Sequence, residues 1–138
     1  MKILYQAKAS ATGGRNGHVA SSDGVLDLQL AIPKGLGGSG GALTNPEQLF
    51  AAGYAACFDS ALNFVATQRK ISLSGTRVDA TVGIGQREAG GFGLAVHLDV
   101  AIPGVPREQA QALLEAAHAA CPYSNAVRGN VEVDLVLV

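Results

Sequence analysis

A chain of 138 residues, 48% hydrophobic and only 15% charged, is sized for one domain spanning residues 1–138 and is too apolar to be disordered. Its net charge of −1, with no basic cluster or stacking platform of aromatics, argues against nucleic acid as a partner. The longest uncharged apolar run, Leu49 to Phe58, is half of the about 20 residues a membrane span requires, and MKILYQAKAS lacks a signal peptide's apolar block, so a cytoplasmic protein with no membrane partner is expected.

Residues 3 to 9 place Ile3, Tyr5, Ala7 and Ala9 on one face and Leu4, Gln6 and Lys8 on the other, the alternation of a half-buried strand. The following TGGRNGH contains Asn16-Gly17, a hairpin signal, with Arg15 inside the turn. Val19 to Ser21 is a return strand, Asp23-Gly24 a second turn, and Leu26, Leu28, Leu30 and Ile32 mark a third strand. The chain therefore opens as a β-meander. PKGLGGSGGA then forms a glycine loop whose Gly35-x-Gly37-x-x-Gly40 spacing mimics a dinucleotide fingerprint. No second parallel strand carries a ribose-binding acid about 20 residues on, since Asp59 falls within a helix. The loop reads as a flexible segment bending closely around its neighbours.

TNPEQLFAAGYAACFDSALNF, Thr44 to Phe64, is the start and body of a long helix. Asn45 serves as N-cap, Pro46 takes the first helical position, and Gln48 stands where a capping-box partner would. With no breaker before Ser72 to Gly75, the helix runs about 25 residues, or about 37 Å. No charge lies on any face between Leu49 and Phe58, which predicts burial all round. Beyond it, Val78 to Ile84 is a strand, Glu88 to Gly91 its turn, and Phe92 to Ile102 the longest alternation, a central antiparallel strand. Pro106 opens a second helix whose apolar stripe is Ala110, Leu113, Leu114 and Ala117, ended by Cys121-Pro122. CPYSNAVRGN is a turn-rich connector and VEVDLVLV a closing strand. The order βββ-α-ββ-α-β defines an α+β fold.

Cys57, mid-helix, and Cys121, at a helix end, make no metal pattern with the scattered His18, His97 and His118, and metal is not expected. In a reducing compartment such thiols are free, catalytic or metal-bound more often than cross-linked for structure. Composition leaves two readings open: buried cysteines that merely pack, as in a non-catalytic dimeric module binding a small apolar ligand, or a protected reactive pair.

TNPEQLFAAGYAACF, preceded by LGGSGG and followed by CPYSNAVRGN, resembles the organic hydroperoxide resistance proteins of the Ohr/OsmC family, over essentially the whole chain. The resemblance implies antiparallel sheets around a long central helix and an intertwined homodimer with shared active sites. It implies a peroxidase of organic hydroperoxides with Cys57 as the peroxidatic and Cys121 as the resolving cysteine. It also implies that Arg15 and Glu47 are functional, that no cofactor is bound, and that an external lipoyl-type dithiol, dihydrolipoamide or a lipoylated protein, recycles the enzyme.

Elementary chemistry gives these four positions distinct tasks. A mid-helix cysteine gains little from the helix dipole, and burial among Phe and Ala raises its pKa. A reactive Cys57 therefore needs a cation nearby, and Arg15 keeps its charge when desolvated. Glu47 then aims Arg15 through a bidentate pair. Glu47 and Cys57 stand ten residues apart, about 15 Å along a helix, so one straight helix cannot bring them to one site. Two copies crossing antiparallel near Ala52-Gly53 would, with Glu47 and Arg15 reaching across from a partner subunit. Phe50, Phe58, Phe92 and Tyr123 are candidates for an apolar substrate channel favouring alkyl and fatty-acid hydroperoxides over hydrogen peroxide; each also suits an ordinary core.

Overall fold

Asn45 caps the longest element: its Oδ1 accepts the Gln48 N–H at 2.9 Å, opening helix α1, Pro46–Gln68. Gln48 does not reach back to the Asn45 backbone as a capping box would. Its Oε1 accepts the Thr44 hydroxyl instead, at 2.9 Å. The computed structural model describes all residues, Met1–Val138. They cluster into two compact units, Met1–Leu49 and Phe50–Val138, and α1 begins in the first and continues through the second.

The first unit holds the expected meander, β1 (Ala9–Thr12), β2 (His18–Ser21) and β3 (Asp27–Gln29), paired antiparallel in that order. The strand expected at residues 3–9 is displaced. Pairing starts at Ala9 opposite Ser21, and Ile3, Leu4 and Tyr5 remain 56%, 89% and 81% exposed. The alternation is real, but a strand forms only where a neighbour completes its hydrogen bonds, and β2 ends at Ser21. The first turn also differs from a two-residue Asn-Gly hairpin. A 3-10 turn at Gly14–Asn16 fills it, and positive φ falls on Gly13 (73°) and Gly14 (60°), not on Asn16 or Gly17. Gly17 is needed for space, since a Cβ there would lie 1.7 Å from the Thr12 carbonyl oxygen. Asn16 turns its side chain to accept the Ile32 N–H at 3.2 Å.

The second unit is built on the sheet β4 (Arg77–Gln86), β5 (Phe92–Ala101) and β6 (Val133–Leu137), in that spatial order. β5 is central, as its alternation predicts, and antiparallel to β4 from Arg77↔Ala101 to Gln86↔Phe92. Towards β6 it is parallel, from Val96↔Val133 to Val100↔Leu137. The sheet is thus mixed, because two helices lie between β5 and β6 and make the crossover that parallel pairing requires. These are α2 (Arg107–Ala120) and α3 (Pro122–Val127). The connector expected at CPYSNAVRGN therefore contains a helix: the proline that stops α2 sits at the first position of α3, where its missing N–H costs nothing.

Val96, Leu98 and Val100 of β5 face Tyr54, Phe58, Leu62 and Ala66 of α1 and the full expected stripe of α2, Ala110, Leu113, Leu114 and Ala117, in one core. α1 is buried on this side alone. Ala52, Ala56 and Phe64 are exposed, because one sheet and one helix cover one face of a cylinder; burial on every face does not occur within a single chain. By length and composition α1 also passes for a membrane span, yet its Tyr54–Phe58–Leu62–Ala66 edge is committed to the core. The helix stops at Gln68 after 23 residues, close to the expected length of about 25. Lys70 adopts φ 58°, and the Ile71→Ala66 and Lys70→Thr67 backbone bonds, 2.9 and 3.0 Å, form a Schellman closure that satisfies the last carbonyls.

Leu98 is wholly buried in this core. Leu98→Ala is expected to lower the unfolding free energy by about 2–5 kcal/mol, measured by urea denaturation with an unchanged m-value.

Candidate active site

The turn between β1 and β2 presents Arg15, and the first turn of α1 presents Glu47. Their side chains pair fork to fork: Arg15 Nη1 donates to Glu47 Oε2 at 2.9 Å and Nη2 to Oε1 at 2.6 Å. The Glu47 side chain is 12% exposed and that of Arg15 34%. Hydrogen bonding from Arg15 holds the Glu47 carboxyl below the usual carboxylate range despite partial burial, and Glu47 in turn raises the already high Arg15 pKa. Glu47 is thus an anion whose lone pairs are spent on aiming one guanidinium, the arrangement expected from the residue types.

Cys57 lies in the middle of α1, and Cys121 stands between α2 and α3 with extended backbone, φ −64° and ψ 122°. Packing of α1 against α2 brings the two sulfurs to 3.7 Å, within hydrogen-bond reach for thiols. Both are reduced; Cys121 is fully buried and Cys57 half-buried. Burial pushes the Cys57 thiol up, a Tyr123 backbone N–H on the sulfur pulls it down, and the neighbouring Cys121 raises it again. No cation is among these influences.

The candidate lining residues separate. Phe50 and Tyr123 form a cluster with Tyr54, ring centroids 5.8 to 6.1 Å apart. Gly53 makes room for it, since a Cβ there would stand 2.9 Å from the Tyr123 hydroxyl. Gly53 is therefore taken up by its own chain, and the small residues free for a helix crossing are the exposed Ala52 and Ala56. Phe58 is wholly buried and tilted against His118 at 6.5 Å. Phe92 is 65% exposed at the turn end of β5, opposite Gln86, outside the cluster. His97 bridges Asp99 and Asp134 at 3.0 and 2.7 Å, and those carboxylates raise its pKa.

Sequence reasoning missed a polar chain behind the thiols. The Tyr54 hydroxyl meets Ser124 Oγ at 2.8 Å, which meets His118 Nδ1 at 3.0 Å. The available signal was helical spacing: Tyr54 precedes Cys57 by three residues, and His118 and Ser124 flank Cys121 by three on each side. Burial, and then Arg128, push the His118 pKa down, which favours the neutral ring.

A small α+β chain holding two thiols in contact, one mid-helix and one at a break between helices, is a dithiol protein. The family model described as OsmC-like protein matches residues 38–136. The organic hydroperoxide resistance protein of Xanthomonas axonopodis pv. citri (strain 306) is 56% identical, over 99% of this chain and 96% of that protein. The organic hydroperoxide resistance protein OhrB of Bacillus subtilis (strain 168) is 49% identical, over 97% and 98%. A crystal structure of an organic hydroperoxide resistance protein from Elizabethkingia anophelis, with crystallant-derived thiocyanate bound, aligns with TM-score 0.95 at 60% identity, covering 99% of this chain and 98% of that one. The chain belongs to the Ohr/OsmC family.

The Arg15–Glu47 pair carries a pH signature. Because the folded Glu47 pKa is depressed, its stabilisation is present above the ordinary glutamate value of about 4.3 and is lost as pH falls through the lower folded value. Wild type is expected to lose more unfolding free energy than Glu47→Gln between neutral pH and about pH 3, measured by urea titration at stepped pH.

Proposed function

We propose that this protein is a cysteine-based peroxidase that reduces organic hydroperoxides, alkyl or fatty-acid, to alcohols in the cytoplasm. The observation that carries the proposal is the 3.7 Å separation of the Cys57 and Cys121 sulfurs. The relatives' names, organic hydroperoxide resistance protein, support a role in hydroperoxide detoxification.

The Cys57 thiolate attacks the terminal oxygen of ROOH. An S–O bond forms, the O–O bond breaks, and the alkoxide leaves to be protonated as ROH. Arg15 stabilises both the thiolate and the charge growing on the alkoxide, and Glu47 keeps Arg15 in line. Cys57 is left as a sulfenic acid, Cys121 condenses with it to a disulfide, and an external dithiol of lipoyl type restores both thiols by exchange. Phe50 and Tyr123 supply apolar surface for the alkyl group. Phe58 supports them from the core, and Phe92 contributes if a second subunit approaches its edge.

The protein works as a homodimer with shared sites. Arg15 and Glu47 pair within one chain, and Glu47 precedes Cys57 on α1 by about 15 Å of axis. A second α1 crossing antiparallel over the exposed Ala52 and Ala56 carries the partner's ion pair towards Cys57. That placement supplies the cation which the surroundings of Cys57 lack.

One equivalent of tert-butyl hydroperoxide is expected to remove both free thiols of the wild type and none of Cys57→Ser, counted with a thiol reagent. Hydrogen peroxide should act at least about tenfold more slowly, since each buried methylene is worth about 0.8 kcal/mol and about 1.4 kcal/mol is tenfold. Equal rates would remove the apolar-site argument, and thiols inert to both peroxides would favour a non-catalytic module that binds an apolar ligand.

Mixed dimers test the shared site. Heterodimers of Cys57→Ser and Glu47→Ala subunits retain one intact site if Glu47 acts across the interface. They are then expected to show about half of wild-type activity, because a twofold-symmetric dimer carries two equivalent sites and one of them survives. Activity no higher than that of either parent homodimer places Glu47 and Cys57 of one chain together.

A further inference from the structure

Cys121 sits at the break between α2 and α3. Its N–H closes the last bond of α2 to Ala117, its carbonyl accepts the first bond of α3 from Asn125, and its own backbone is extended. The position of its sulfur therefore depends on the angle between two helices, whereas Cys57 is held within the 23 residues of α1. To form a disulfide the sulfurs must close from 3.7 Å to about 2.05 Å.

The Tyr54–Ser124–His118 chain spans this joint. His118 is in the last turn of α2, Ser124 in the first turn of α3, and their 3.0 Å contact crosses the break. Tyr54 ties the same hydroxyl to α1 at 2.8 Å. Arg128, just after α3, adds a second strut by donating to the His118 carbonyl at 2.9 Å. Tyr54 and Ser124 are wholly buried, and Ser124 is the one polar side chain buried in the core of this unit. A buried hydroxyl gains nothing over alanine for packing and costs stability unless paired. A neutral His118 carrying its proton on Nε2 accepts from Ser124, which accepts from Tyr54, so every hydroxyl proton has a place.

We propose that Tyr54, Ser124 and His118 are positioning residues for the second thiol, their hydrogen-bonded bridge setting the α2–α3 angle that keeps Cys121 Sγ in line with Cys57. The proposal rests on the peroxidase reading above and concerns its second step. There the Cys121 sulfur attacks the Cys57 sulfenic acid, an S–S bond forms, the S–O bond breaks, and the thiol proton leaves with the hydroxide as water. A sulfur displaced by an ångström costs on the order of 10²-fold in such a step. The attack on peroxide does not use Cys121 as a nucleophile, so it depends on the bridge less than the second step does, through the Tyr123 N–H on the Cys57 sulfur.

The test follows the two steps separately in the full-length protein after mixing with tert-butyl hydroperoxide: peroxide consumed in the first turnover, and sulfenic acid trapped by dimedone at successive times. Tyr54→Phe keeps the ring and removes one bond; Ser124→Ala breaks the bridge at its centre. In both variants the first step is expected to stay within about twofold of wild type. The sulfenic acid should persist at least about tenfold longer, and no longer in the double variant than in Ser124→Ala, as for groups acting as one unit. An unchanged sulfenic acid lifetime overturns the proposal. So does slowing of both steps by one factor, the signature of general loosening. A wild type that consumes no peroxide and keeps both free thiols overturns the peroxidase reading itself, a result distinct from either.

Discussion

A sulfur cannot easily carry charge where water has been removed, and this constraint organises the molecule. Cys57 lies against the core of the Phe50–Val138 unit, where burial opposes ionisation and only a Tyr123 backbone N–H favours it. Low polarity keeps such a thiol inert until a fixed charge is supplied, and then makes that charge count for more than it would in water. Arg15, the residue proposed to supply it, is held through both terminal nitrogens by Glu47. An isolated buried guanidinium would be unstable, while a guanidinium paired on one edge keeps its other edge available and its direction set.

The placement of the second sulfur has a simple local origin. Pro122 cannot continue α2 and is well suited to begin α3. The residue before it is forced out of helical geometry, and that residue is Cys121, φ −64° and ψ 122°. One proline thus breaks the helix, restarts it, and leaves a buried thiol at the corner. The cost is a joint that must be braced, and the buried hydroxyl of Ser124 between Tyr54 and His118 meets that need.

Local features were legible in the sequence wherever a residue acts on its immediate neighbours. Asn45 caps α1, the stripe Ala110, Leu113, Leu114 and Ala117 is buried, and the alternation of Phe92 to Ile102 marks the central strand of its sheet. Expectations failed where a neighbour had to be known. Ile3 to Lys8 alternates like a strand but has no strand beside it. The parallel pairing of β6 depends on a crossover whose second helix hides in a turn-rich stretch. The apolar run of α1 predicts burial on all sides, of which a single chain covers one. Gly53, read as room for another helix, is filled by Tyr123.

The same division holds at the site. The sequence by itself singled out the candidates for chemistry: two cysteines, an arginine in a glycine-rich turn and a glutamate in the first turn of a helix, each named by residue type and motif. It also determined that Arg15 and Glu47 suit each other, because a carboxylate and a guanidinium match in shape and charge wherever they meet. Tertiary structure alone decided that sulfurs 64 residues apart stand 3.7 Å from one another, and that Tyr54, Ser124 and His118 join behind them. Those distances follow from how α1 packs on α2 and β5, and side-chain packing over such separations leaves no periodic mark in the chain from which it could be read.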